Sequence, residues 1–140
     1  MTETTPELDA VLQELTSPFI EYLGLRMTEV TGQRVVGTWT AGPHLAQPYG
    51  IVHGGAHCSI VETLASVGAG VWFGERGQVV GVSNQTDFYR AVSEGGLTSV
   101  AESIHQGRSQ QVWVVETHDA EGRLVARGQV RLQNLAARTE

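Results

Sequence analysis

The chain has 140 residues, with fifteen acidic side chains against nine arginines and no lysine, giving a formal net charge of −6. That balance excludes a general nucleic-acid-binding surface, which needs a basic face to neutralise phosphates. With 41% hydrophobic and 17% charged residues the chain can bury a core of its own, so it is neither a disordered segment nor an acidic tail. Its length predicts one domain, residues 1–140. The one cysteine, Cys58, leaves no internal disulfide and no zinc knuckle. The N-terminus carries Glu3, Glu7 and Asp9 instead of a basic stretch followed by an apolar one, and therefore no secretory signal is expected. The longest apolar run, residues 56–73, is interrupted by His57, Ser59, Glu62, Thr63 and Ser66, which excludes a membrane span. A cytoplasmic protein with no membrane partner is the expectation.

Thr5, Pro6 and Glu7 supply a cap, a proline at the first helical position and an acidic first turn. Leu8, Val11, Leu12 and Leu15 follow at helical spacing, predicting a short helix over about residues 5–16 that Pro18 ends. Residues 24–40 read as two short strands turning at Thr31-Gly32, and residues 41–52 as an irregular loop rich in Gly and Pro. Residues 54–73 form the longest helical pattern. It is apolar on nearly every side, as expected of a helix surrounded by other structure, and Gly68 and Gly70 would let a sheet approach closely.

From Gly77 the period changes to two. Val80, Val82, Asn84, Thr86, Phe88 and Arg90 fall on one face. Strands over residues 97–106 and 111–118 follow, and the last strand alternates Leu124, Ala126, Gly128, Val130 and Leu132 inward. A tail of about residues 135–140 is expected to be flexible. Short connections make the sheet antiparallel, and strands segregated from one long helix define an α+β fold, the sheet covering its apolar face by curling around that helix.

The chemistry concentrates on residues 47–66. Glu62 is the one carboxylate of the long helix, and Ser59, Glu62 and Ser66 form a polar stripe where a partly desolvated carboxylate could act as base or nucleophile. His53-Gly54-Gly55 stands where the helix begins, and the first amides of a helix have no intrahelical acceptor and can polarise a carbonyl oxygen. Gly54 and Glu62 are eight residues apart, about 12 Å along the axis, too far for both to grip one carbonyl. Either the segment before the helix bends the amide inward, or a second subunit completes the site.

The run Gln47-Pro48-Tyr49-Gly50-Ile51-Val52-His53-Gly54-Gly55, followed by Glu62-Thr63-Leu64-Ala65-Ser66, resembles the hotdog-fold acyl-CoA thioesterases. It is most similar to the branch that carries Glu on the helix, which includes 4-hydroxybenzoyl-CoA and 1,4-dihydroxy-2-naphthoyl-CoA thioesterases (PaaI-like). The similarity continues through Val79-Val80-Gly81, Arg90-Ala91, His105-Gln106-Gly107-Arg108-Ser109, Gln111-Val112-Trp113 and Gly122-Arg123-Leu124, from about residue 18 to residue 134. The resemblance implies an antiparallel sheet wrapped around one central helix, and a homodimer with sites at the subunit interface that can pair again into a tetramer. It implies Glu62 as catalytic carboxylate, Gly54 as the amide that polarises the thioester carbonyl, Gln47 and His53 as polar side chains beside the thioester, and Ser66 as a hydroxyl placing water or the acyl group. By analogy Arg90, Arg108 and Ser109 hold the coenzyme A nucleotide. Phe88 departs from the pattern, standing where some relatives have histidine. An aromatic or bulky acyl group is the substrate expected, with coenzyme A as part of the substrate and no metal or other cofactor.

Other readings were open at this level. His53 and His57, four residues apart, could bind a metal, although no glutamate follows His53 as in metalloproteases. Cys58 beside His57 could suggest a thiol nucleophile, yet adjacent helical residues point in different directions. Trp39, Trp72 and Trp113 read as packing residues, and Arg123, Arg127 and Arg131 as a solvated strand face. A hotdog dehydratase or hydratase would want His-Phe-Pro-Gly or Asp-x-Asn-x-x-His, both absent here. In a non-catalytic acyl-CoA-binding protein the unpaired Glu62 would cost binding energy to no purpose.

Overall fold

The structure, a computed structural model, describes residues 6–138. Thr5, the expected cap of the first helix, lies outside the described residues, as does the end of the expected tail. The first helix, α1, spans Pro6–Glu14 and buries no residue, although Leu12 and Leu15 lean on the core. Pro18 does not simply end a helix. It opens a second one, α2 (Pro18–Leu23), capped by the Ser17 hydroxyl, which accepts a bond from the Ile20 amide, and closed by Gly24 at φ 71°. A proline that cannot continue one helix is well suited to start the next, because its missing N–H is not needed there.

Strands β1 (Arg26–Val30) and β2 (Arg34–Ala41) form the expected hairpin, its turn held by the Thr31 hydroxyl, which accepts from the Gln33 and Arg34 amides. After a 3-10 turn at Pro43–Leu45 comes the long helix, α3 (Gly54–Phe73), then β3 (Gly77–Phe88), β4 (Gly95–Gln106), β5 (Gln110–Asp119) and β6 (Leu124–Ala136). All six strands form one antiparallel sheet in the order β1-β2-β4-β5-β6-β3. The strands that follow α3 are thus not a simple succession of hairpins: β3 pairs with β6 at an edge, while β4 crosses to pair with β2.

The sheet's inner face closes on α3. Ile60, Val61, Leu64, Ala65 and Ala69 of the helix are fully buried against Val35, Ala101, Trp113, Val115, Val130 and Leu132. The approach is closest at Gly68, where an added Cβ would lie 2.4 Å from the Trp113 ring; at Gly70 the nearest atom would be 3.9 Å away, so only the first glycine is required by contact. Trp39 and Trp113 are buried and bonded, to the Ser99 hydroxyl at 3.0 Å and the Gln111 side-chain carbonyl at 2.9 Å, and Trp72 packs beneath the Arg76 guanidinium.

Three strand details differ from simple alternation. In β3 the pairing with β6 slips between Gly81 and Ser83, so Val82 is an extra residue. Val79 and Gly81 face the helix before the bulge, whereas Asn84, Thr86 and Phe88 do so after it, and Val80 and Val82 are exposed. The single face drawn from Val80 to Arg90 is therefore broken, as a bulge of one residue must break it. In β6 the pairing with β5 slips near Leu124, which leaves Leu124 at the surface and buries Val125 beside Ala126. β6 also continues through Leu135 and Ala136, which pair with Gln78 and Gly77, so those two residues are strand and not tail.

Candidate active site at the start of the long helix

The chain enters α3 through a tight turn. Gln47 accepts from the Gly50 amide through its carbonyl and from the Tyr49 amide through Oε1, and Gly50 adopts φ 85°. The Val52 amide then donates to the Val92 carbonyl at 2.8 Å, and the His53 amide to the Leu45 carbonyl at 2.8 Å, fixing the loop on both sides of the helix start. His53 is the N-cap. Its Nδ1 accepts from the Gly55 amide at 2.7 Å, while its carbonyl accepts from the Ala56 amide at 2.9 Å. With Nδ1 an acceptor, the neutral imidazole carries its proton on Nε2 and offers a donor outward. The Gly54 N–H has no acceptor among the described residues. It is the open donor of this helix terminus, at the positive end of the dipole.

One wall beside that amide is aromatic. Phe88, brought inward by the β3 bulge, lies so near Gly54 that an added Cβ would meet its ring at 2.8 Å, yet the ring is half exposed. Behind it lies His57, 4% exposed, between Trp39 (ring centroids 5.4 Å apart) and Phe88 (5.8 Å). Its Nδ1 has no partner, and burial lowers its pKa to about 4, so it is a neutral core side chain. His53 and His57 thus go to different surroundings. Among the described residues no group of three or more His, Cys, Asp or Glu side chains is arranged to hold a metal ion. Cys58 is half-buried, and its carbonyl accepts from the Asn84 side chain at 3.0 Å.

Glu62 sits two turns along α3, exposed and without a hydrogen bond or ion pair among the described residues. Its carboxyl lies against Gly81 of β3, with Cδ 3.7 Å from where a Cβ would stand. The partial desolvation expected of it is not achieved within one chain, because α3 turns this stripe outward. Ser59 and Ser66 flank Glu62 and are half-buried; the Ser59 hydroxyl donates to the Gly55 carbonyl at 2.7 Å, whereas Ser66 has no side-chain bond among the described residues. α3 runs unbroken from Gly54, so the amide is not bent toward Glu62 and the two groups stay about 12 Å apart along the axis.

The three residues matched to the nucleotide do not come together. Arg90 opens, without an ion pair among the described residues, into a cavity of about 540 Å³ that Val92, Glu94 and the 119–123 turn also line. The carboxylates of Asp119 and Glu121 are engaged there by Arg123. Arg108 and Ser109 lie in the β4–β5 turn, pinned by the Asn134 amide, which donates to the Gly107 and Arg108 carbonyls. That turn is beside Gly32 and Trp72, at the far end of α3 from Gly54. One feature was missed in the sequence, Phe88 against Gly54. The burial of His57 agrees with its reading as a core histidine instead of a metal ligand, since it follows Ala56 and precedes Ile60, Val61 and Leu64 on the apolar side of the helix.

Residues 49–126 match the model of the thioesterase superfamily. The proofreading thioesterase EntH of Cronobacter turicensis is 33% identical over 117 residues, covering 83% of this chain and 85% of EntH. The crystal structure of AziG from S. sahachiroi superposes with a TM-score of 0.85 at 53% identity, covering 86% of this chain and 98% of AziG. A hypothetical thioesterase protein of Streptococcus pneumoniae, solved with coenzyme A, superposes with a TM-score of 0.77 at 20% identity, covering 86% and 93% of the two chains, a likeness of fold alone. The chain belongs to the thioesterase superfamily and has its hotdog fold: a six-stranded antiparallel sheet around one long helix. The chemistry of that class is hydrolysis of a thioester.

Proposed function

We propose that the protein hydrolyses acyl-CoA thioesters, with a preference for aromatic or bulky acyl groups, at sites shared between two copies of the chain. The observation that carries this reading is an unpartnered amide at Gly54 and an unpaired carboxylate at Glu62, both open on the outer side of α3 but a fixed two turns apart. One chain cannot bring both to a single carbonyl; two chains can. Residue 58 is midway between them, so a twofold axis passing near Cys58 would set each Gly54 level with Glu62 of the partner subunit. β3 supports the same axis. Asn84 is bonded to Cys58, Gly81 lies beside Glu62, and Phe88 lies beside Gly54. Antiparallel pairing of two β3 strands centred near Asn84 therefore aligns the same groups. β3 is a twelve-residue edge strand with Val80 and Val82 exposed, an edge that a lone chain leaves open to pairing. Pairing of two such dimers is part of the same proposal.

In this site the thioester oxygen accepts from the Gly54 N–H, with Gln47 and the His53 Nε2–H beside it. Glu62 of the partner subunit attacks the carbonyl carbon, or takes a proton from a water that does so, and Ser66 helps place that water or the acyl group. Negative charge gathers on the oxygen at the helix terminus and the C–S bond breaks, releasing the thiolate of coenzyme A. Where water attacks, the thiolate takes up the proton that Glu62 removed and the free acid leaves; where Glu62 attacks, an acyl anhydride forms, and a water then cleaves it, restoring the carboxylate and supplying the proton. The nucleotide phosphates are assigned to Arg90 on one side, and to Arg108 and Ser109 from whichever subunit the pairing brings near. The guanidinium fork suits phosphate, and the chemistry requires neither metal nor redox cofactor.

The test is thiol release from benzoyl-, 4-hydroxybenzoyl-, dihydroxynaphthoyl-, phenylacetyl- and straight-chain acyl-CoAs, with wild type and Glu62→Ala side by side. Turnover by the wild type is expected, with a loss on the order of 10³-fold or more in the variant, a scale comparable to removing a principal catalytic group. Equal rates in the two proteins would show that Glu62 is not the catalytic carboxylate.

A further inference from the structure

A second concavity, which shares no lining residue with the one at Arg90, touches the start of α3. It measures about 240 Å³ and lies between α2, the loop at residues 44–46 and the first turns of the helix. Phe19, Tyr22 and Leu23 form one wall and Leu45 and Ala46 the other. Its floor is shared with the candidate site, since His53, Gly55 and Ser59 also line it. The wall is built, not incidental: the Tyr22 hydroxyl donates to the His44 carbonyl at 3.2 Å, and the Tyr22 and His44 rings meet edge to face at 5.5 Å. Phe19 and Tyr22 are nevertheless 57% and 60% exposed, large rings turned to an open space.

Building on the thioesterase reading, we propose that this pocket receives the acyl group of the thioester and that Tyr22 determines its preference for a flat ring. Direction follows from the linings of the two concavities. The one lined by Arg90 and Val92 has Arg90, unpaired among the described residues, as the cation open to a phosphate; its other charged side chains are Arg123, which engages Asp119 and Glu121, and Glu94. The one past Gly55 is walled mainly by apolar side chains and rings, with His44, His53 and Ser59 as polar side chains and no Arg, Lys, Asp or Glu among those lining it, so it suits an apolar group better than a phosphate. A thioester whose oxygen is at the Gly54 amide therefore runs from Arg90, across the helix start, into the α2 pocket. Size limits the occupant. A dry cavity of about 150 Å³ accommodates benzene, so this one has room for a substituted or fused ring. The edge-to-face pair of Tyr22 and His44 offers a planar ring the geometry aromatic groups prefer.

The experiment compares kcat/KM for benzoyl-CoA and acetyl-CoA in wild type, Tyr22→Ala, Tyr22→Phe and Ala46→Phe, with a thermal melt of each. Tyr22→Ala is expected to lower the benzoyl-to-acetyl ratio about tenfold through KM, the size of effect that a lost contact in an apolar pocket produces. Tyr22→Phe should retain the ratio, and Ala46→Phe, which fills the pocket from the wall opposite α2, should lower it as well. A ratio unchanged in both Tyr22→Ala and Ala46→Phe, or equal losses on both substrates, overturns the proposal while leaving the thioesterase reading in place. If the wild type cleaves no acyl-CoA of the wider panel, the thioesterase reading fails and the pocket is read directly. A non-cleavable aryl ketone analogue of benzoyl-CoA is added, and amide shifts are followed at Phe19, Tyr22 and His44. Movement there supports the pocket, and its absence overturns it.

Discussion

His57 shows how much a single side chain can be changed by its place on a helix. In sequence it stands four residues from His53 and looks like half of a pair. In the fold it is enclosed by Trp39 and Phe88, with Nδ1 unpartnered, and burial depresses its pKa from 6.5 to about 4. The unfolded chain therefore binds a proton between those two values that the folded chain does not. The sign is fixed: stability contributed by a neutral His57 is complete above about pH 6.5 and is lost as the pH falls toward 4, amounting to about 3 kcal/mol across that window. Urea unfolding at steps from pH 7.5 to 4.5 should show this decline, and His57→Phe should remove most of it. An equally steep decline in the variant would mean that other groups are responsible.

At the scale of elements, α3 and the sheet are matched at particular residues and not merely by hydrophobicity. Gly68 allows the Trp113 ring to pass against the helix backbone, and Gln111 holds Trp113 while donating to the Ala69 carbonyl at 3.1 Å and to the Asn134 side chain at 2.9 Å. Two glycines two residues apart should consequently respond in opposite ways. Gly68→Ala drives a methyl into Trp113 and is expected to destabilise by about 1–3 kcal/mol, the cost of overpacking a tight core. Gly70→Ala places its methyl 3.9 Å from Val79 and should gain as much as about 1 kcal/mol of helix propensity. Denaturant midpoints of the two variants decide the matter: equal shifts of the same sign would contradict the contact geometry. The bulge in β3 acts at this scale too. One extra residue rotates Phe88 inward to wall the Gly54 amide, while Gly81, before the bulge, leaves space for the Glu62 carboxyl.

At the scale of the whole molecule, the proposed function makes the active site a property of two chains, because Gly54 and Glu62 are held two turns apart on one helix. That has a consequence measurable without a structure of the dimer. Gly54→Pro, which removes the N–H at a helix position that tolerates proline, and Glu62→Ala should each be nearly inactive alone. After co-expression the mixed dimer contains one site with both native groups, and the mixture should recover about a quarter of wild-type activity. No recovery, with mixed dimers demonstrated by two affinity tags, would place both groups in a single-chain site. The open edge of β3 gives the physical basis for association, since its unpaired backbone groups and exposed Val80 and Val82 gain partners only from another strand.

The sequence by itself determined the long helix at about residues 54–73, the β1–β2 hairpin and the antiparallel α+β class, and it singled out His53, Gly54 and Glu62 as candidates for the chemistry. These are legible because they rest on local periods, caps and turn residues, whose physics acts within a few residues along the chain. The tertiary structure alone decided what those patterns leave degenerate: that β3 pairs with β6 and β4 with β2, that Pro18 starts a helix, and that Val82 is a bulge. It also decided that Arg90 and Arg108 lie at opposite ends of α3, and that the ring nearest the open amide belongs to Phe88, thirty-four residues away in the chain. Strand order and bulges depend on which distant surfaces bury together, and a period of two reads the same for either neighbour. Glu62 remains exposed for the same reason: which surface covers a side chain is a matter of tertiary packing, and no segment among the described residues packs over its carboxylate.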